Sequence, residues 1–319
     1  MHRAIAPCLV ESEKLKTLVR VRERESPSLR AEAVAYMCTL LIWKNRRPGH
    51  PIVIAANRDE FEGRAASPPR ELVEHPLVVG GRDDVAGGTW LGISEYGIVV
   101  ALTNRRRAGK HDPSKRSRGQ LVLELAQHPT VAAIRAHLEH LDPHAFNPFV
   151  LVAIDVEHGM YAQTDTAGLT LGTIPDGVHA VTNWEFDATS HPKGRRALEL
   201  AKTFDIAAGS EDQVAARLHA LLSDHAPGER ERDGGLCVHR PDEHYGTRSS
   251  TIVMLADRRV RSSTFSQLLT SRGRDYSRGG DDIPRMRYYA VEGHPCENYL
   301  SDVTALLRQE DAARAGVEP

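Results

Sequence analysis

Cysteine is scarce in this chain, with four in 319 residues: Cys8, Cys38, Cys237 and Cys296. No two form a C-x-x-C pair. That argues against a disulfide framework or a zinc knuckle, and a reducing, cytoplasmic setting fits best. Aromatic residues amount to 5% and carry no substrate-stacking signature, so Trp43, Trp90 and Trp184 read equally well as core or as pocket. An excess of one charge is missing too. Lys plus Arg (41) against Asp plus Glu (43) leaves a formal net charge of −2, which gives no support to a nucleic-acid binder. No apolar run approaches the roughly 20 residues of a membrane-spanning helix. What is present, 40% hydrophobic and 26% charged residues, describes a soluble globular protein of one large domain or two ordinary ones.

Residues 1–36 differ from the rest. The stretch ESEKLKTLVRVRERESPSLRAEA is dense in both charges and lacks the apolar block of about 7–15 residues that a secretory leader needs. It reads as a disordered arm or as a start codon assigned too early, with a single domain following over 37–319.

From Met37 the pattern turns to strands. Cys38 to Trp43, a turn at Asn45 to Gly49, and Pro51 to Ala56 read as a hairpin. Ser67 to Gly88 is rich in Pro and Gly and suits a surface loop. Thr89 to Ser94, a turn at 95–97, and Ile98 to Thr103 make a second hairpin. Helical spacing covers Ser117 to Gln127, with Ser117 as a cap, and then a helix opened by Pro129 through Val131, Ile134 and Leu138. Strands return at Phe149 to Asp155, Gly159 to Gln163 and Val178 to Thr182. Helices follow at Gly194 to Thr203 and Glu211 to Ser223. Late strands are expected at Thr251 to Ala256, Val260 to Phe265 and Met286 to Val291, with Ser271 to Asp282 as a polar loop. Strands and helices come in adjacent pairs rather than alternating singly. That excludes a doubly wound parallel sheet and favours antiparallel sheets with helices on their faces, an α+β protein.

Few residues carry chemistry on their own. Cys38 directly follows a methionine. If it became the N-terminus, it would hold both a thiol nucleophile and an α-amine base with a reference pKa near 7.7–8.0. A buried strand cysteine is the plainer alternative. Asn57-Arg58-Asp59-Glu60 falls where the second strand is expected to end. There Asp59 could accept from an ammonium and Arg58 could hold an anion, or the four could form a solvated turn. Asn104 and Asn183 each follow a Thr at a predicted strand end. Their amides could serve a developing oxyanion or simply a turn. Arg248, in YGTRSST before a late strand, could support the site or cap a sheet edge. Cys237-x-His239 with His244 is too loose in spacing for zinc, and the 16 histidines are scattered.

Together, MCTLLIW, AANRDEF, GGTWLGIS…GIVVALTNRR, SRGQLV, VTNWEFD and YGTRSSTIVML resemble the NRDE proteins, also called the transport and Golgi organisation protein 2 family, from about Met37 to Phe265. The resemblance implies an N-terminal-nucleophile (Ntn) hydrolase fold, an αββα sandwich of two antiparallel sheets. It also implies kinship with the cysteine branch that holds penicillin V acylases and conjugated bile-salt hydrolases. By order and context, Cys38 then falls on the nucleophile and Asp59 on the amine-binding acid. Asn104 and Asn183 fall on the oxyanion and support positions, and Arg248 on the late Arg. The acylase Arg precedes its Asp by a few residues, whereas here Arg58 adjoins Asp59. Neighbours on an extended chain face opposite ways, so Asn57, Arg58 and Asp59 all remain candidates.

The implied activity is an amidohydrolase or acyltransferase working on a non-peptide C–N bond or a thioester of a small acyl substrate, with no cofactor and no metal. It requires a free amine on Cys38, by initiation at Met37 or by cleavage before Cys38. Animal family members are linked to Golgi organisation, lipid metabolism and haem trafficking. The competing expectation is therefore a non-catalytic carrier of haem or a lipid/acyl ligand.

Overall fold

The structure is a computed structural model, and it describes residues 38–105, 111–226, 234–257 and 286–307. The expected strand Val260 to Phe265, the loop Ser271 to Asp282 and the segment 1–36 lie outside these residues. In chain order the elements are β1 (Thr39–Arg47), β2 (His50–Phe61), β3 (Ala66–Val73), β4 (Val78–Asp83), β5 (Leu91–Ser94), β6 (Val99–Asn104), α1 (Arg118–Ala126) and α2 (Val131–Glu139). There follow β7 (Phe149–Ile154), β8 (Gly159–Asp165), β9 (Gly168–Thr173), β10 (Gly177–Val181), α3 (Pro192–Thr203) and α4 (Glu211–Leu222). The last are β11 (His239–Arg240), β12 (Tyr245–Leu255), β13 (Met286–Glu292) and β14 (Ser301–Asp302).

Two antiparallel sheets result. One has the order β10-β1-β2-β12-β13-β14, with β11 also on β12; the other is a meander from β3 to β9 in chain order. Alternation along each strand divides its apolar residues between two cores. Leu40, Ile42, Ile52 and Ile54 of the first sheet meet Ile93, Val99, Ala101, Val150 and Val152 of the second. The opposite faces are covered by helices. Leu41, Trp43, Val53 and Ala55 pack on Ala197, Ala201, Val214 and Leu218 of α3 and α4. Val100, Leu102, Leu151 and Ala153 pack on Leu121, Leu125, Ile134 and Leu138 of α1 and α2. The layers run helix, sheet, sheet, helix, an α+β sandwich. Burial on both faces is why PIVIAA and FVLVAI read as unbroken apolar runs. No described helix is long and apolar enough to cross a membrane.

α1 begins where expected, with Ser117 capping it by accepting from the Gln120 amide at 3.4 Å. α2 begins later than expected: Pro129 lies outside it, and Thr130 is the cap, accepting from the Ala133 amide at 3.1 Å. α3 begins two residues earlier than expected, at Pro192. Ser210 and Gln213 form a reciprocal capping box on α4.

Three further expectations change, and one strand is added. The stretch Ser67 to Gly88 is no loop: most of it forms β3 and β4, with the Pro68-Pro69 pair in β3 at the sheet edge. An edge strand leaves one row of N–H groups unpaired, so prolines are tolerated there, and the register shifts between Ser67 and Arg70. β9 adds an edge strand on β8 for which no expectation existed. The segment Asn57 to Glu60 does not end a strand. β12 pairs with β2 as far as Phe61 and keeps it extended. For the same reason Tyr245 to Ser250 lies inside β12 and not before it.

Gly88 is required by contact. A Cβ on Gly88 would sit 2.2 Å from the Gly119 carbonyl carbon, where the Thr89 amide donates to the Gly119 oxygen at 3.1 Å. The GGTW and SRGQ segments thus touch backbone to backbone at the start of α1. Gly88→Ala should destabilise the fold by about 1–3 kcal/mol, the usual cost of overpacking. Gly63→Ala, where a Cβ meets nothing within 4 Å, should stay within about 0.5 kcal/mol of the parent in urea unfolding.

Candidate active site

Cys38 immediately precedes β1, and strand register decides its neighbours. Thr39 lies opposite Asn57 on β2, and Leu40 lies opposite Val181 on β10. Antiparallel partners advance in opposite senses, so continuing each register brings Arg58 level with Cys38 on one side and Asn183 on the other. Arg58 pairs onward with Ser249 of β12, and Ser249 with Glu292 of β13. Asn183, Cys38, Arg58, Ser249 and Glu292 therefore form one row across neighbouring strands, about 5 Å apart at each step. Their parity matches Val181, Leu40, Ile54, Val253 and Tyr288 of the core between the sheets. The row faces the second sheet.

The same parity turns Asn57 and Asp59 the other way, toward α3 and α4. The Asn57 Nδ2 donates to the Leu222 and Leu236 carbonyls at 2.9 and 2.8 Å, and its Oδ1 accepts from Ser250 Oγ at 2.6 Å. Asp59 Oδ2 accepts from Lys193 Nζ at 2.8 Å, and Oδ1 from Thr247 Oγ1 at 2.6 Å. Both side chains of the Asp59–Lys193 pair are 0% exposed. Burial pushes the Asp59 carboxyl up, while the Lys193 ammonium and the Thr247 hydroxyl pull it back. Of the three adjacent candidates, Arg58 alone shares the face of Cys38. Nothing local marks Lys193: it lies just ahead of the helix expected from Gly194, in the charged stretch HPKGRR, and its burial is set by packing on β2.

Arg58 is held from the opposite sheet: its guanidinium lies 4.4 Å over the Trp90 ring. Arg248 sits at a bulge, since Thr247 pairs with Asp59 and Ser249 pairs with Arg58, leaving Arg248 as the extra residue. Bulges re-aim side chains, and this one places a second cation by the row. Burial holds the Glu292 carboxyl above its ordinary range, opposed first by Arg58 and then by Arg248. Two cations thus serve one end of the row.

The Thr-Asn pairs meet across the sheets. Thr103 Oγ1 donates to the Thr182 carbonyl at 2.7 Å, and Asn183 Nδ2 donates to the Asn104 carbonyl at 2.6 Å. Alternation along β6 sends Thr103 toward the first sheet, so what Asn104 brings to Asn183 is its backbone oxygen. Buried Asn183 Oδ1, Ser249 Oγ and Trp184 Nε1 have no hydrogen-bond partner among the described residues. Unpaired polar atoms are rare in an interior, and Asn183 and Ser249 stand in the Cys38 row itself.

Cys38 Sγ donates to the Asp59 carbonyl at 3.7 Å, and a carbonyl is no base. Burial, helped by the Asp59 charge and opposed by Arg58, pushes the thiol up to about 11. With its nitrogen in a peptide bond to Met37, Cys38 has Arg58 and Asn183 beside it and an amide in place of an amine. A separate cavity of about 480 Å³, lined by Lys44, Arg135, Asp155, Glu157 and Met160 among others, holds none of the candidate residues.

The family profile for Transport and Golgi organisation 2 matches residues 37–267. The chain belongs to that family. Transport and Golgi organization protein 2 homologs of Bos taurus and Homo sapiens are 27% and 26% identical, each over 69% of this chain and 88% of the relative. Among solved structures, a Caenorhabditis elegans N-acylethanolamine-hydrolyzing acid amidase ortholog aligns at TM-score 0.47 with 12% identity, over 67% of this chain and 92% of its own. A mutant of the conjugated bile acid hydrolase from Clostridium perfringens aligns at 0.45 with 9% identity, over 83% and 96%.

Removing one member of the Asp59–Lys193 pair leaves a buried charge alone. Lys193→Met should cost about 3–5 kcal/mol in urea unfolding, and the double variant Asp59→Asn/Lys193→Met should recover a measurable part of it.

Proposed function

We propose that this protein is a cysteine hydrolase or acyltransferase of the N-terminal-nucleophile type, acting on an amide or thioester bond of a small acyl substrate. The observation that carries the reading is the row Asn183–Cys38–Arg58, which sets a thiol between a carboxamide and a guanidinium on the inner face of the first sheet. Catalysis begins once Cys38 is the terminal residue, whether through initiation at Met37 or through cleavage before Cys38.

The thiol proton then passes to the α-amine and the thiolate adds to the acyl carbon. The oxyanion takes the second N–H of Asn183, whose first is spent on the Asn104 carbonyl. The ammonium returns its proton to the leaving nitrogen or sulfur, and a thioester on Cys38 remains. Water, deprotonated by the same amine, or another acceptor releases the acyl group. Arg58 and Arg248 stabilise negative charge on the substrate. Asp59, through its contacts with Lys193 and Thr247, fixes the β2 backbone whose carbonyl receives the Cys38 thiol.

The full chain favours a second reading, a carrier of haem or a lipid/acyl ligand, because an amide nitrogen at Cys38 supplies no base. One comparison separates the two. In the full chain, alkylation of Cys38 should reach half its limiting rate near pH 11, the value to which burial drives the thiol. In protein beginning at Cys38, the amine should bring reaction into the range of about pH 7–8. Mass mapping of the adduct follows the site, and Cys38→Ala should abolish turnover of acyl substrates. Unchanged alkylation with a Soret shift on haem titration would favour the carrier. For the enzyme, Asn183→Ala should lower kcat by about 10²–10³, the usual worth of one oxyanion donor.

A further inference from the structure

His225, Cys237, His239 and Cys296 come together although 57 residues separate the last two in the chain. One ligand atom from each lies within 4.8 Å of all the others. His225 follows α4, Cys237 precedes β11 and His239 opens it, and Cys296 lies in the turn after β13. By spacing, Cys237 and His239 with His244 are too loose for zinc, and His244 does stand apart, its Nδ1 3.5 Å from Glu62, while His225 and Cys296 come in from elsewhere in the chain. The other two ligands come from segments whose distance along the chain hides them.

We propose that these four side chains form a tetrahedral Cys2His2 site for a zinc ion. The distances suit the ion. Zn–S bonds of about 2.3 Å at tetrahedral angles put two sulfurs about 3.8 Å apart, and Zn–N bonds of about 2.0–2.1 Å put nitrogen and sulfur about 3.5 Å apart. Cys237 and Cys296 sulfurs are 3.7 Å apart, and His239 Nε2 lies 3.5 and 3.1 Å from them. Both cysteines are free thiols. With Nε2 turned to the sulfurs, His239 Nδ1 faces Glu297 Oε1 at 3.9 Å. A carboxylate behind the distal nitrogen is the usual outer partner of a zinc-bound imidazole, orienting the ring and raising its basicity. His294 stacks on the His239 ring at 3.8 Å and 18°. Zinc binding would release the two thiol protons to solvent and leave the histidines neutral.

The site would act as a staple. The Leu236 carbonyl holds Asn57, the Val238 amide and carbonyl pair with Thr247, and Thr247 holds Asp59. Zinc on Cys237 and His239 would therefore tie the segment behind the NRDE residues to the turn at Cys296. The proposal does not depend on the chemistry of Cys38.

The test uses the reduced full chain, purified without chelator or metal-affinity resin. Elemental analysis should find about one zinc per chain. Replacement by Co²⁺ should give intense tetrahedral ligand-field bands and thiolate charge-transfer absorption. Cys296→Ser, at an exposed residue, should weaken the charge-transfer band and lower zinc affinity at least tenfold. Cys38→Ser and Cys8→Ser should keep both metal and spectrum. A chain that takes up no stoichiometric zinc or cobalt, a six-coordinate cobalt spectrum, or full retention of the thiolate band in Cys296→Ser would overturn the site. The wild-type cobalt spectrum decides the matter even if a variant misfolds.

Discussion

The whole arrangement depends on burying polar residues within a strand that is covered on both faces. β2 enters as an apolar run and leaves as Asn57-Arg58-Asp59, which are only 2%, 7% and 2% exposed. A buried polar group without a partner costs several times what a satisfied one contributes, so each of the three obliges a neighbour to answer it. Lys193 from α3, Ser250 and Thr247 from β12, the carbonyls of Leu222 and Leu236, and the Trp90 ring are those answers. The segment thereby ties the inner site to the outer helices.

This explains how two adjacent residues serve different ends. Asp59 faces the helices and fixes the backbone. Arg58 faces the second sheet and lies beside the thiol. A one-residue slip of β2 would exchange these roles and place a carboxylate beside Cys38, which would disfavour a thiolate. The bulge at Arg248 is a related device. It lets β12 present Thr247 to Asp59 on one face and Ser249 to the row on the other, with an extra cation between.

Legibility in the sequence varied with the range of the forces involved. The hairpins and the Ser117 cap could be read because strand alternation, Gly-containing turns and a Ser cap act within a few residues. Ser67 to Gly88 misled for the opposite reason. Proline and glycine counts describe local preference, while an edge position, which makes a Pro-Pro pair tolerable, is a property of the assembled sheet. The strand end expected at Asn57 failed because β12, almost two hundred residues later, extends the pairing. The resemblance through ordered motifs pointed to Cys38, Asn57, Arg58, Asp59, Asn104, Asn183 and Arg248 without deciding which of them share a face.

By itself the sequence determined the layered α+β architecture and family membership, since both follow from apolar periodicity and from short motifs in a set order. Only the tertiary structure decided that Arg58 and Asn183 flank Cys38, that Lys193 neutralises Asp59, and that His225 and Cys296 join Cys237 and His239. Each of these is a contact between segments far apart along the chain. Such contacts are set by strand register and helix packing, and spacing along the chain carries no record of them.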